Sequence, residues 1–237
     1  MPDHRILIFG ASGAIGHSVV EHSRARDWAV TAVTRGPAPV SDDPRIVWRS
    51  WDPCVTDDAQ AVAADGPFDA VCWAHGANMT DSLLDFDADL HLALYNANVL
   101  SVLRSAAALV TDKLLQSSGA RLVVVSSIWQ ERARGGKLSY AVTKAALGGL
   151  VRSASVDLGL EGHLINGVLP GVLDTPMAHA NLSAEQVARV SAKTTLGRLP
   201  DLGTLAEMII FLCSPDNKAI SGQSITVDLG MSNVSLV

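Results

Sequence analysis

Short apolar or β-branched runs recur at residues 6–9, 28–34, 45–50, 69–74, 121–126, 164–169 and 224–227, with alanine-rich helical stretches between most of them. No other feature restricts the fold so strongly. Runs of four to seven such residues, bounded by turns, belong to strands buried on both faces, and such strands are parallel. Parallel neighbours need crossover connections. Helices are expected near residues 15–26, 91–117, 140–160 and 204–213, with shorter ones around 56–64 and inside a polar loop at 174–198. Right-handed crossovers then give a doubly wound, mostly parallel seven-stranded sheet with helices on both faces. With no internal repeat or linker, one α/β domain over residues 1–237 is the economical reading.

Composition narrows the function. The chain is 48% hydrophobic and 18% charged, the opposite of one that cannot bury a core. Lys and Arg number 18 against 24 Asp and Glu, for a net charge of −6 and no basic block, so nucleic acid is not an expected partner. Cys54, Cys72 and Cys213 are odd in number and far apart, and no CxxC or HExxH occurs; neither a disulfide framework nor a metal site is expected. The residues after Met1 offer too short an apolar core for a signal peptide, and no membrane span is expected. A cytoplasmic protein is the reading. Aromatic residues are few, yet Trp accounts for 5 of them, against 2 Tyr and 4 Phe.

Three motifs carry chemistry. Gly10-Ala11-Ser12-Gly13-Ala14-Ile15-Gly16 sits where the first strand ends and the first helix begins. Glycines there allow a tight turn and close approach of a pyrophosphate, whose charge meets the helix N-terminus. A GxSxG nucleophile elbow fails, because Ala14 stands at its last glycine, and no His-Asp pair is placed for a serine hydrolase. At the end of the second strand, where an acid would accept the adenosine ribose hydroxyl of NAD, the chain has Thr34-Arg35-Gly36. Arg35 can pair bidentately with a 2′-phosphate, which favours NADP(H) over NAD(H). In Tyr140-Ala141-Val142-Thr143-Lys144, Tyr and Lys share one helix face. A nearby ammonium is expected to lower the phenol from its ordinary pKa of about 10, making a usable acid/base. Ser127 ends the fifth strand, on the edge where open α/β sheets bind ligands.

With these residues the chain resembles the short-chain dehydrogenases/reductases in their compact single-domain branch, from residue 6 to residue 228. The resemblance implies a Rossmann-like fold and hydride transfer between NADP(H) and a ketone or secondary alcohol. Ser127 would polarise the carbonyl, Tyr140 act as acid/base, Lys144 hold the nicotinamide ribose and tune Tyr140, and Asn98 anchor a water in the proton relay. Gly10, Ser12, Gly13, Ala14, Ile15, Gly16, Arg35, Asp52, Ala74 and Gly76 would form the cofactor cradle, with Asp52 at the adenine. Pro170, Gly171, Val172, Thr175 and Met177 match the PGxxxTPM segment that holds the carboxamide. The loop near 175–199 would cover the substrate, with Met177 and Leu182 as contacts.

Phe9 and Ala14 depart from the family pattern, Trp73-Ala74-His75-Gly76 replaces Asn-Asn-Ala-Gly, and Asp228-Leu229-Gly230 replaces Asp-Gly-Gly. The family's sheet-stabilising Asn is thus absent. A non-catalytic dinucleotide-binding sensor of the same fold is the alternative reading; the intact Ser127, Tyr140 and Lys144 weigh against it. Trp73 and Trp129 follow the fourth and fifth strands and are expected to form an aromatic wall beside the nicotinamide, suited to an apolar or cyclic ketone. Arg132 and Arg134 read as a solvated turn, with an anionic substrate group as the competing role. The apolar faces of the long helices, with Gly148-Gly149, point to a homodimer or homotetramer.

Overall fold

A computed structural model of the chain describes residues 4–56, 59–175 and 183–234. In chain order it has β1 (Arg5–Phe9), α1 (Ala14–Arg24), β2 (Ala29–Thr34), β3 (Ile46–Ser50), a 3₁₀ turn (Gln60–Asp65) and β4 (Ala70–Trp73). Then come α2 (Ala88–Tyr95), a π turn (Asn96–Leu100), α3 (Ser101–Thr111), β5 (Arg121–Val125) and a second 3₁₀ turn (Ile128–Gln130). The described elements end with α4 (Leu138–Leu160), β6 (Leu164–Pro170), α5 (Ala184–Ser191), α6 (Leu202–Cys213) and β7 (Ser224–Val227). The seven strands lie in the order β3-β2-β1-β4-β5-β6-β7, and every neighbouring pair is parallel.

Strand alternation sorts the core onto the two faces of the sheet. Leu7, Phe9, Val71, Trp73, Leu122 and Val124 pack against Val99 and Val102 of the α2–α3 stretch and Leu147 and Val151 of α4. Ile6, Ile8, Ala70, Cys72, Val123 and Val125 pack instead against Val19 and Val20 of α1 and Ile209 and Ile210 of α6. Each strand residue thus faces one helical layer or the other, as the uninterrupted apolar runs require.

The long helix differs from expectation at both ends. It begins at Ala88 because the Asp87 carboxylate accepts the backbone N–H groups of Asp89 and Leu90. It stops at Thr111 because Lys113 turns left-handed, at φ 55°, and the following residues pair with Phe68 instead. Ala88–Thr111 is also a helix long and apolar enough, by length and composition, to cross a membrane, which the sequence reading did not expect. In the fold, Val99, Val102, Ala108 and Leu109 of this helix are buried in the core beneath the sheet.

Candidate active site

The chain winds outward from β1 to β3, then returns to β4 on the other side of β1. At this switch point the carboxyl ends of β1 and β4 diverge, and a crevice opens. A cleft of about 460 Å³ fills it, bounded by Gly10, Ser12, Gly13, Arg35, Asp52, Ala74 and Gly76 of the expected cofactor residues. Gly10 has φ +72°, and a Cβ there would come within 2.7 Å of the His75 backbone. Gly16 is buried behind the turn, where a Cβ would lie 2.2 Å from the Gly10 carbonyl oxygen. It seats α1 on the turn and does not line the cleft; Ala14 and Ile15, in the same helical turn, do not line it either. Gly13 caps α1 with no side-chain partner, and the first turn carries no acid, so its N–H groups face the cleft entrance uncompensated. Arg35 is exposed at the rim. This donor set fits a dinucleotide: open helix N–H groups for a pyrophosphate and a guanidinium for a further phosphate.

The departures from the family pattern converge beneath this cleft. Phe9 lies 5.8 Å from Trp73 with ring planes 9° apart, 5.2 Å from Trp51 and 6.1 Å from His75. Trp73 is therefore no wall of the substrate site. It is 1% exposed and donates its indole N–H to Ser105 Oγ at 2.8 Å, because its side chain falls on the helical-layer face of β4. His75 Nε2 lies 2.7 Å from Ser101 Oγ, whose own proton goes to the Ala97 carbonyl, so the ring N–H is the donor. Burial, then the positive Lys144, pushes His75 down to about 4, leaving it neutral. Two serines one turn apart on α3 thus tie down the β4 end that lacks the family Asn.

The catalytic candidates stand between this cleft and a second one. Ser127 caps the 3₁₀ turn at the end of β5, its Oγ accepting from the Trp129 N–H at 3.3 Å. Tyr140 and Lys144 lie one turn apart on α4, whose start is fixed by the buried Asp81 carboxylate accepting the Ser139 N–H at 3.0 Å. The Ser127 hydroxyl stands near the Tyr140 phenol, close enough to favour its ionised form. Lys144 Nζ lies 5.6 Å from the Tyr140 ring centre and donates to the Val125 carbonyl at 3.2 Å. Gly76 lies next to both groups: a Cβ there would be in ordinary contact with Asn98 Oδ1 at 3.4 Å and Lys144 Nζ at 3.5 Å. Burial pushes Lys144 down to about 8.

The Tyr140 phenol moves against expectation. Burial raises it, and the nearby Ser127 hydroxyl pulls the other way without cancelling that effect. Lys144 stands beside the ring, but desolvation of the phenolate sets the direction.

Asn98 sits in the π turn, a distortion that often marks functional sites. Its Oδ1 accepts from the Ala77 N–H at 2.7 Å, and its Nδ2 donates to the Ala77 carbonyl and to Thr143 Oγ1, each at 3.0 Å. The side chain therefore fastens the loop after β4 to α4. Both amide protons are used by the protein itself.

The second cleft, about 710 Å³, lies past the ends of β5 and β6 and is lined by Trp129 and Val172. Pro170 ends β6, and Gly171 packs on Asp228, where a Cβ would come within 2.7 Å of the Asp228 Cβ. Thr175 is partly buried; Met177 and Leu182 lie outside the described residues. Sequence reasoning missed Arg189 and Lys193, which α5 and the turn after it bring to this cleft beside Arg132 and Arg134. Their spacing from Gln186, at three and seven residues, was the available signal of a shared face. Gly148, read as part of a self-association face, instead makes room for Gln130: a Cβ there would meet Gln130 Nε2 at 2.7 Å.

A family model described as enoyl-(acyl carrier protein) reductase matches residues 56–232. The chain belongs to the short-chain dehydrogenase/reductase family. It is similar to L-rhamnose 1-dehydrogenase (NAD(P)(+)) of Azotobacter vinelandii, with 32% identity over 73% of this chain and 68% of the relative. It is also 27% identical to 3-oxoacyl-(acyl-carrier-protein) reductase FabG of Escherichia coli, over 95% of this chain and 96% of that one. A gluconate 5-dehydrogenase from Burkholderia cenocepacia, solved with NADP and tartrate, shares the fold at a TM-score of 0.88 and 23% identity, covering 99% of this chain and 97% of its own. As a member of this family the chain is an oxidoreductase with a Rossmann-like fold.

Proposed function

We propose that the chain interconverts a ketone and a secondary alcohol with NADP(H). The observation that carries this is the position of Ser127, Tyr140 and Lys144 between the two clefts. Lys144 Nζ reaches the Gly76 edge of the first, and Ser127 caps the turn whose Ile128 and Trp129 line the second. Ser127 and Tyr140 supply two hydroxyl donors to a carbonyl oxygen as negative charge develops on it. Tyr140 gives its proton in reduction and takes it back in oxidation, and its raised pKa keeps that proton in place until the oxygen becomes basic. Lys144 holds a positive charge beside the Tyr140 ring, anchored by the Val125 carbonyl. Asn98 keeps the Ala77 loop and Thr143 in register around them. The nicotinamide supplies the hydride when bound.

Arg35 supports NADP(H): it lies on the cleft rim without a hydrogen-bonded carboxylate among the described residues. The structural relative solved with NADP bound favours the same cofactor. Exposed Leu90, Leu92, Leu103, Val142 and Val156 on α2–α4 favour a homodimer or homotetramer, and the free cysteines suit the reducing cytoplasm. Fluorescence titration with NADPH and NADH, followed by a carbonyl panel, tests the reading. NADPH is expected to bind at least about ten-fold tighter, and Arg35→Asp to erase that margin. Tighter NADH binding by the parent protein would sink the cofactor assignment.

A further inference from the structure

We infer that the substrate carries an anionic oxygen group, a carboxylate or a phosphate, held in the second cleft by Arg132, Arg134, Arg189 and Lys193. The inference rests on the reading of Ser127, Tyr140 and Lys144 as the reacting end of the site. It adds what grips the other end of the molecule.

The charge distribution is the first argument. The chain is acidic overall, at −6, yet the described residues lining this cleft include four cations and no Asp or Glu. Glu131 and Glu185 neighbour the cations in sequence but do not line the cleft, and the stretch 176–182 contains no carboxylate. Random placement on an acidic surface would bring carboxylates among the cations. Among the described residues, none of the four side chains makes an ion pair or a side-chain hydrogen bond. Some cations elsewhere in the chain do find carboxylates, as Arg24 does with Glu21 and Arg45 with Asp43. A concave site lined by one sign of charge concentrates the opposite ion.

Architecture is the second. The cations come from two separate elements, the 3₁₀ turn region after Ser127 and the α5 region, and converge on one concavity. Between them lie Trp129 and Val172, which give the cleft an apolar floor next to the Ser127 cap. An apolar body with polar groups placed at one end is how small-molecule sites fix orientation. Arg supplies the forked donors that fit carboxylate and phosphate alike. The field reaches the next turn: after burial, Arg134 is the largest influence lowering Lys137. This replaces the expectation of a purely apolar or cyclic ketone.

Matched ligand pairs test the inference on the NADPH-loaded protein: an oxo-carboxylate against its methyl ester, and a hydroxyketone phosphate against the free hydroxyketone. Binding is read by Trp fluorescence and turnover by NADPH consumption. The anionic member of at least one pair is expected to bind on the order of ten-fold tighter, and the advantage should shrink as salt is raised. Which pair shows it separates carboxylate from phosphate. The double variants Arg132→Gln/Arg134→Gln and Arg189→Gln/Lys193→Gln should each collapse the anion-to-neutral ratio. Equal binding of both members in both pairs, or a preference that survives both double variants, overturns the inference. Preferential anion binding with no turnover of any ketone or alcohol would uphold it while overturning the proposed reaction. Ketone turnover without an anion preference would do the reverse.

Discussion

Phe9 and Trp73 stand paired in register on the adjacent parallel strands β1 and β4, their rings 5.8 Å apart and within 9° of parallel. They occupy two positions where the chain departs from its family, and the departures answer each other. A polar residue at either place would sit against an aromatic face inside a layer that also holds Trp51. Trp73 finds its one polar partner in Ser105, and the next departure, His75, finds Ser101. The floor of the cofactor cleft has thus been rebuilt from aromatic stacking and two serine contacts.

That rebuilding makes Trp73 a stability residue. Trp73→Ala should cost about 3–5 kcal/mol, the range for deleting a buried Trp. Ser105→Ala should cost about 1 kcal/mol by removing the indole's acceptor. Urea unfolding measures both. A Trp73→Ala protein within the error of its parent would contradict the packing described.

Asn98 should act through position. Asn98→Ala removes three hydrogen bonds and leaves Ala77 and Thr143 to find other partners. Stability is expected to fall by about 1–3 kcal/mol, and NADPH affinity with it, since Gly76 of the cofactor cleft lies against the Asn98 amide. Unfolding and cofactor titration on the same sample check this. An Asn98→Ala protein with parental stability and affinity would leave the side chain without the role given to it.

The sheet was legible because buried parallel strands show themselves as uninterrupted apolar runs, and residues 6–9 or 121–126 can hardly be read otherwise. Ser127, Tyr140 and Lys144 were legible because their spacing along strand end and helix face is itself the geometry. Trp73 was misplaced because being near the end of a strand does not say which face a side chain takes; its pairing with Phe9 depends on β1–β4 adjacency, a non-local fact. Arg189 and Lys193 were missed for the same reason, since nothing local joins α5 to the turn after Ser127. The direction of the Tyr140 shift depended on burial, which a motif does not contain.

Lys144 makes stability depend on pH. Its pKa falls from an ordinary 10.5 to about 8 in the folded protein, so the unfolded chain holds the proton more tightly. The resulting penalty on folding is present in full below pH 8 and fades as pH rises from about 8 towards 10.5. Relative to Lys144→Met, the cofactor-free parent should therefore gain up to about 3 kcal/mol across that window. Denaturant unfolding of both proteins at pH 7 and at about pH 10 reads the change. A difference that stays constant with pH would mean that Lys144 is not held in a desolvated site.

The central claim is that Tyr140 carries the proton while the cofactor site is built from other residues. Tyr140→Phe removes one hydroxyl from a position between the clefts and leaves Gly10, Gly13, Arg35 and Asp52 in place. The measurement is NADPH affinity and turnover on one preparation of this variant, with a ketone that the parent reduces. NADPH should bind within about two-fold of the parent, while kcat falls by roughly 10²–10⁴, the contribution of a positioned acid. Turnover close to that of the parent would contradict the account.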